Sequence, residues 1–185
     1  MLEKYVENRV HSCVSRNEAM SQNEVCDVSR NQEMYDSMGY LKNTLADTDI
    51  LQEYFIPPEK MTDFIDGLRT IVKKNRANLL NVTIRIVHKD TTTALPYAKD
   101  DRFAFVLYFN QKFNDKESEI LRKTTVDLID LATSVGGRYY LPYQLFYSKE
   151  QLKKAYPEID DFFAVKKKID STGLFENTWY QKYSK

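Results

Sequence analysis

Arg85 stands in the run Val82-Thr83-Ile84-Arg85-Ile86-Val87, whose alternation puts Val82, Ile84 and Ile86 on one side of a strand and Thr83, Arg85 and Val87 on the other. An arginine on a strand face is a fixed cation that can grip an oxyanion or a substrate oxygen, or stabilise charge that develops in a reaction. Ala104, Val106 and Tyr108 from a later strand, and Gln52 and Tyr54 from an earlier one, are expected to share its face. The glutamine and the phenols would add hydrogen-bonding groups around the cation. The plainer account of Arg85 is a salt bridge across the sheet surface; burying it without a partner would be very costly. The two histidines and two cysteines offer less. His11, Cys13 and Cys26 could supply three metal ligands, but ordinary reduced cysteines explain them better.

The elements that must position these residues follow from periodicity. Ile50–Ile56 is strand-like and Pro57-Pro58 ends it. A helix then carries an apolar stripe of Met61, Phe64, Ile65, Leu68, Ile71 and Val72. Leu80–His88 is the second strand, a polar loop with Asp90, Thr91-Thr92-Thr93 and Pro96 follows, and Phe103–Phe109 is the third strand. Residues 115–135 form the second helix, stopped by Gly136-Gly137, and Arg138–Leu141 is the last strand. The order β-α-β-β-α-β is that of an α+β, ferredoxin-like fold, with both helices on one face of an antiparallel sheet and the other face open. The domain is expected over residues 50–147. An irregular connector with short helices occupies 1–49, and a helical tail over 148–185 packs on the domain, with Leu174 and Phe175 returning to apolar surface.

Composition narrows the function. Twenty-seven basic residues balance twenty-seven acidic ones, which removes a general electrostatic case for nucleic acid. Lys166-Lys167-Lys168 reads as a solvated helix face. No run of apolar residues resembles a signal peptide or a transmembrane segment, so a cytoplasmic location is expected, with peripheral membrane association left open.

Three ordered stretches carry a resemblance. The most specific is the tail: Gly136-Gly137-Arg138-Tyr139-Tyr140-Leu141-Pro142-Tyr143, then Ser148-Lys149-Glu150-Gln151-Leu152, Ala155-Tyr156-Pro157, and Asp170-Ser171-Thr172-Gly173-Leu174-Phe175-Glu176-Asn177. The others are Leu51-Gln52-Glu53-Tyr54-Phe55-Ile56-Pro57 and Ile84-Arg85-Ile86-Val87 with Asp90 and Tyr97-Ala98 downstream. Together they resemble the C-terminal domain of vanillyl-alcohol-oxidase-type flavoproteins. The nearest branch is that of sugar-lactone oxidases, including the D-arabinono-1,4-lactone type, alditol oxidases and decaprenylphosphoryl-ribose oxidase.

The resemblance implies an FAD-dependent oxidoreductase acting on a small sugar, alditol or aldonolactone at a CH–OH group. FAD would be bound mainly by an N-terminal domain that this chain lacks, making that domain its partner and leaving the chain inactive alone. With five glycines, the chain has no loop able to place several backbone N–H groups on a pyrophosphate. By resemblance Arg85 is catalytic and lies beside flavin and substrate, Tyr140 faces the cofactor, and Gln52, Tyr54, Thr83, Val106 and Tyr108 line the substrate pocket. Departures accompany the match. Thr83 stands where alditol-oxidase-like members carry glutamate, and Tyr143 where this branch places a lysine near the flavin. Ala104 and Val106 make the pocket more apolar. Glu53 reads as an acid or, more simply, a rim carboxylate. The proton acceptor is left among Tyr143, the missing domain and water. The competing class is a non-enzymatic ferredoxin-like module whose open face binds a ligand or protein.

Overall fold

The alternation of Phe103, Phe105, Leu107 and Phe109 places four large apolar side chains on one side of a strand, and that strand is one of the two central strands of the sheet. In the computed structural model, which describes residues 44–185, β3 (Arg102–Lys112) lies between β1 (Asp47–Ile56) and β2 (Leu79–Val87), antiparallel to both. β1 pairs in turn with β4 (Arg138–Tyr139), giving the order β2-β3-β1-β4. This is the ferredoxin-like arrangement: each helix crosses from one strand to a parallel one, and adjacent strands run antiparallel.

Helix α1 (Met61–Asn75) follows a single 3-10 turn over Pro58–Lys60, where the prolines need no amide bond. Helix α2 (Asp115–Ser134) is capped by Asn114, whose side chain accepts from the Glu117 amide. Both press one apolar face on the sheet, burying Phe64 and Leu68 from α1 and Leu121, Leu128, Ile129 and Ala132 from α2. The Phe64 ring lies 4.9 Å from that of Phe105 and 5.8 Å from that of Tyr54. Each of the buried leucine, isoleucine and phenylalanine side chains contributes about 1.5–3 kcal/mol by leaving water. Past α2, Gly136 adopts φ 75°, and a Cβ on Gly137 would sit 2.7 Å from Ile56 Cδ1 and 2.9 Å from two carbonyl oxygens. Both positions therefore require glycine, and together they turn the chain into β4.

Several expectations need correction. β1 begins at Asp47, three residues before the expected start, because Asp47, Thr48 and Asp49 continue the ladder opposite Lys112, Gln111 and Asn110. Residues 1–43 of the expected connector, with His11, Cys13 and Cys26, lie outside the described residues. β4 is two residues long, since the Tyr143 amide bonds back to Tyr140 O and the chain turns. The open face is covered at one end: the β2–β3 loop lays Tyr97 on Phe55, ring centroids 4.4 Å apart, and buries Ala98. The tail comprises α3 (Lys149–Ala155), α4 (Ile159–Ile169) and α5 (Thr178–Tyr183). Its buried Tyr147 stacks on Tyr183 and accepts from Trp179 Nε1 at 2.6 Å. Leu174 and Phe175, expected to return to apolar surface, are each 75% exposed. Asp170 holds them there by accepting from both their amides at 2.9 Å while pairing with Lys166.

Candidate functional site

Register decides which side chains meet on the open face. Thr83 lies opposite Val106, and Val106 opposite Glu53; in the next row Arg85 lies opposite Ala104, and Ala104 opposite Phe55. Tyr108 stands between Asn81 and Leu51. Directly paired residues share a face, so Leu51, Glu53 and Phe55 are the β1 residues beside Arg85.

Gln52 and Tyr54 were expected there, and the structure puts them on the other side. Gln52 pairs with Leu107 and Tyr54 with Phe105, both facing the helices. The Tyr54 hydroxyl donates to Gln52 Oε1 at 2.6 Å, Gln52 Nε2 donates to Thr125 Oγ1 at 2.6 Å, and the Thr125 hydroxyl donates to Leu121 O at 2.8 Å. This chain of bonds satisfies buried polar groups inside the core. Burial also pushes the Tyr54 phenol far up, so it stays protonated.

At the centre of the open face, Arg85 Nη2 pairs with Glu53 Oε1. The arginine reaches two strands across, roughly 10 Å at ordinary strand spacing, and Ala104 in its own row offers no bulk to block it. The pair is asymmetric: the Arg85 side chain is 43% exposed and that of Glu53 only 11%. Tyr143 stands close enough to feel both charges. Burial and the Glu53 carboxylate raise its phenol, and Arg85 offsets this in part. Tyr143 is therefore a neutral hydroxyl at ordinary pH, fit to donate a hydrogen bond and poorly suited to serve as a base.

Around this centre, Tyr140 meets Tyr143 edge-on at 4.9 Å and Tyr97 at 6.3 Å. Toward the other end, the Tyr108 hydroxyl donates to Asp49 Oδ2 at 2.7 Å and Asn110 Nδ2 donates to Asp49 Oδ1 at 3.1 Å. Burial, with the bond to Asp49, pushes the Tyr108 phenol up to about 12. Behind Tyr140 and Tyr97 lies a mostly apolar cavity of about 210 Å³, walled also by Leu141, Pro142, Tyr156 and Trp179.

Arg138 shares the face, opposite Phe55, but its bonds are architectural. Its guanidinium grips both Glu158 oxygens at 2.6 and 3.0 Å, donates to Pro96 O at 2.5 Å, and stacks 4.4 Å over the Tyr156 ring. It ties the covering loop and the tail to the sheet.

Of the residues singled out from the sequence, the structure thus gathers Arg85, Thr83, Val106, Tyr108, Tyr140 and Tyr143 on one side of the sheet and removes Gln52 and Tyr54 from it. Glu53 moves from rim to centre, and Asp49 and Tyr97 join. No local signal marked Glu53, because apolar residues flank it on both phases of the strand. Among the described residues no cluster of histidine, cysteine and carboxylate side chains could hold a metal, and no helix is long and apolar enough to cross a membrane. The sequence profile of D-arabinono-1,4-lactone oxidase matches residues 4–183. No curated protein sequence matches the chain.

Proposed function

The chain belongs to the D-arabinono-1,4-lactone oxidase family, and from that premise we propose that it is the substrate side of an FAD-dependent oxidoreductase acting on a CH–OH group of a sugar, alditol or aldonolactone. Arg85 carries this reading: a half-exposed guanidinium, fixed by Glu53, with Thr83, Ala104, Val106 and Tyr143 supplying small, apolar and phenolic side chains around it. Such a face fits the reactive end of a flavin, where a fixed cation stabilises negative charge and aromatic edges pack on a ring. The pyrophosphate end is not matched among the described residues, where no glycine-rich loop aims several amides at one point. FAD, when bound, would accept the hydride from the carbon that bears the hydroxyl.

The chain's own part is to bind and orient. Arg85 would hold a substrate oxygen, Thr83 would exchange a hydrogen bond with a neighbouring hydroxyl, and Val106 and Leu51 would set an apolar floor. Tyr143 would donate from its neutral phenol. Tyr140 and Tyr97 would exclude water from the edge nearest the covering loop. Glu53, touching Arg85, is the carboxylate nearest this chemistry. FAD retention would require a flavin-binding domain, supplied from elsewhere in the full-length protein, and the chain alone would be inactive.

The test is spectroscopic and catalytic. Protein carrying the flavin-binding domain is expected to show bound-flavin absorption and to reduce a dye acceptor with a lactone or polyol from a screen of such compounds. A colourless preparation that releases no flavin on denaturation would sink the oxidoreductase reading and favour a ligand-binding module. For the chain alone, stoichiometric FAD binding in a fluorescence titration would overturn the division of labour.

A further inference from the structure

We propose that Glu53 is a specificity-determining residue: by occupying Arg85 it lets this face accept uncharged hydroxyl-bearing ligands and turn away the carboxylate that a lactone becomes when its ring is hydrolysed. The inference rests on the reading of the open face as a substrate surface. It names what that surface refuses.

A lone arginine is a carboxylate receptor, because its planar fork presents two parallel N–H groups to two oxygens. An unpaired Arg85 would therefore prefer an aldonate to the neutral lactone or polyol. Glu53 reverses that preference through the asymmetry of the pair. It is the less exposed member, so an incoming carboxylate that displaced it would leave a mostly buried anion without its cation, a costly state. A hydroxyl or lactone oxygen asks for less, since it can accept a remaining guanidinium N–H without breaking the pair.

The surroundings add no free positive charge to welcome an anion. Asp49, further along β1, contributes a second carboxylate to the same face. Thr83, Val106 and Ala104 are uncharged, and Tyr143 is a neutral phenol. Arg102 donates to Gly136 O and faces Asp100, and Arg138 is taken by Glu158. The centre of the face therefore sets one arginine against one carboxylate bonded to it, with a second carboxylate further along the same face.

Arginine modification by phenylglyoxal, read at Arg85 by peptide mass spectrometry, tests this on the chain itself. Glu53→Gln is expected to make Arg85 react several-fold faster, and sodium D-arabinonate to protect Arg85 in that variant and not in the parent. Glu53→Asp, which keeps the charge, is expected to restore resistance at least in part, and circular dichroism checks that all three chains fold alike. If Arg85 of the parent reacts as fast as in Glu53→Gln, or D-arabinonate protects both equally, the proposal is wrong. In the flavin-loaded protein, Glu53→Gln should tighten inhibition by D-arabinonate roughly tenfold or more relative to KM for D-arabinono-1,4-lactone, the scale of one charge-assisted hydrogen bond. No oxidation of any lactone or polyol by the parent would defeat the functional reading. Oxidation with an unchanged ratio would defeat only the role given to Glu53.

Discussion

Arg138 and Arg85 leave the same face of one sheet, yet the Arg138 side chain is 8% exposed and holds Glu158 with both arms, whereas Arg85 is 43% exposed and meets Glu53 through one nitrogen. In the first pair the cation is the buried member; in the second it is the anion. Arg138 spends its donors on Glu158 and Pro96 O, joining three segments of chain. Arg85 keeps most of its donors turned to solvent. Burying a cation fastens a fold, while burying an anion beneath a solvent-facing cation leaves that cation available to a partner.

The largest expected effect lies at the fastened pair. Glu158→Ala strips Arg138 of its carboxylate and leaves a buried guanidinium with one carbonyl, so a stability loss of about 2–3 kcal/mol is expected by urea titration. The figure sits below that of a fully buried pair because the Glu158 side chain keeps 21% exposure. A double variant, Arg138→Met with Glu158→Leu, should recover much of the loss, since neither charge is then stranded. An unfolding midpoint for Glu158→Ala equal to that of the parent would break the comparison.

Next is Gln52, which separates the two faces of β1. Gln52→Leu removes the acceptor of the buried Tyr54 hydroxyl and the donor to Thr125, and a cost of about 1–3 kcal/mol is expected, read as a lower unfolding midpoint. In the flavin-loaded protein its KM for a lactone should stay near the parent's. A raised KM without lost stability would return Gln52 to the pocket that the sequence reading gave it.

That correction shows where the sequence was legible. The alternation of β3 and of Val82–Val87, the two amphipathic helices and Gly136-Gly137 were enough for the topology, because each has a single apolar face or a conformational demand that few residues meet. β1 has neither. Tyr54, Phe55 and Ile56 are all buried, two toward the helices and Phe55 under Tyr97, so its apolar content carries no phase. Only pairing with β3 shows that Glu53, and not Gln52, stands beside Arg85. Leu174 and Phe175 differ for another reason: hydrophobicity predicts burial, whereas the Asp170 carboxylate takes both their amides in a local turn that leaves the side chains in solvent.

Acid should separate the pairs more gently. Burial raises the Glu158 carboxyl, but the bonds from Arg138, helped by Lys99, outweigh it and hold it below the ordinary 4.5. A group lowered on folding stabilises above its unfolded value and loses that contribution as pH falls through the folded one. The parent's stability is therefore expected to fall more steeply than that of Glu158→Gln below about pH 4.5. Parallel curves in urea titrations across that range would mean that the fork does not favour the ionised carboxylate.

Arg85→Ala should have the smallest effect on the fold. The pair is monodentate and its cation is half open to water, so it is worth less than the buried fork at Arg138. Losing the arginine leaves the little-exposed Glu53 without its cation, so a total cost of about 1–2 kcal/mol is expected, below that of the fastened pair. Turnover should behave oppositely. In the flavin-loaded protein, Arg85→Ala is expected to lower kcat/KM for a lactone by roughly tenfold or more, in line with the loss of a charged hydrogen-bond donor at the reacting centre. A large stability loss with intact kinetics would make Arg85 a second Arg138, and the distinction between the two arginines would disappear.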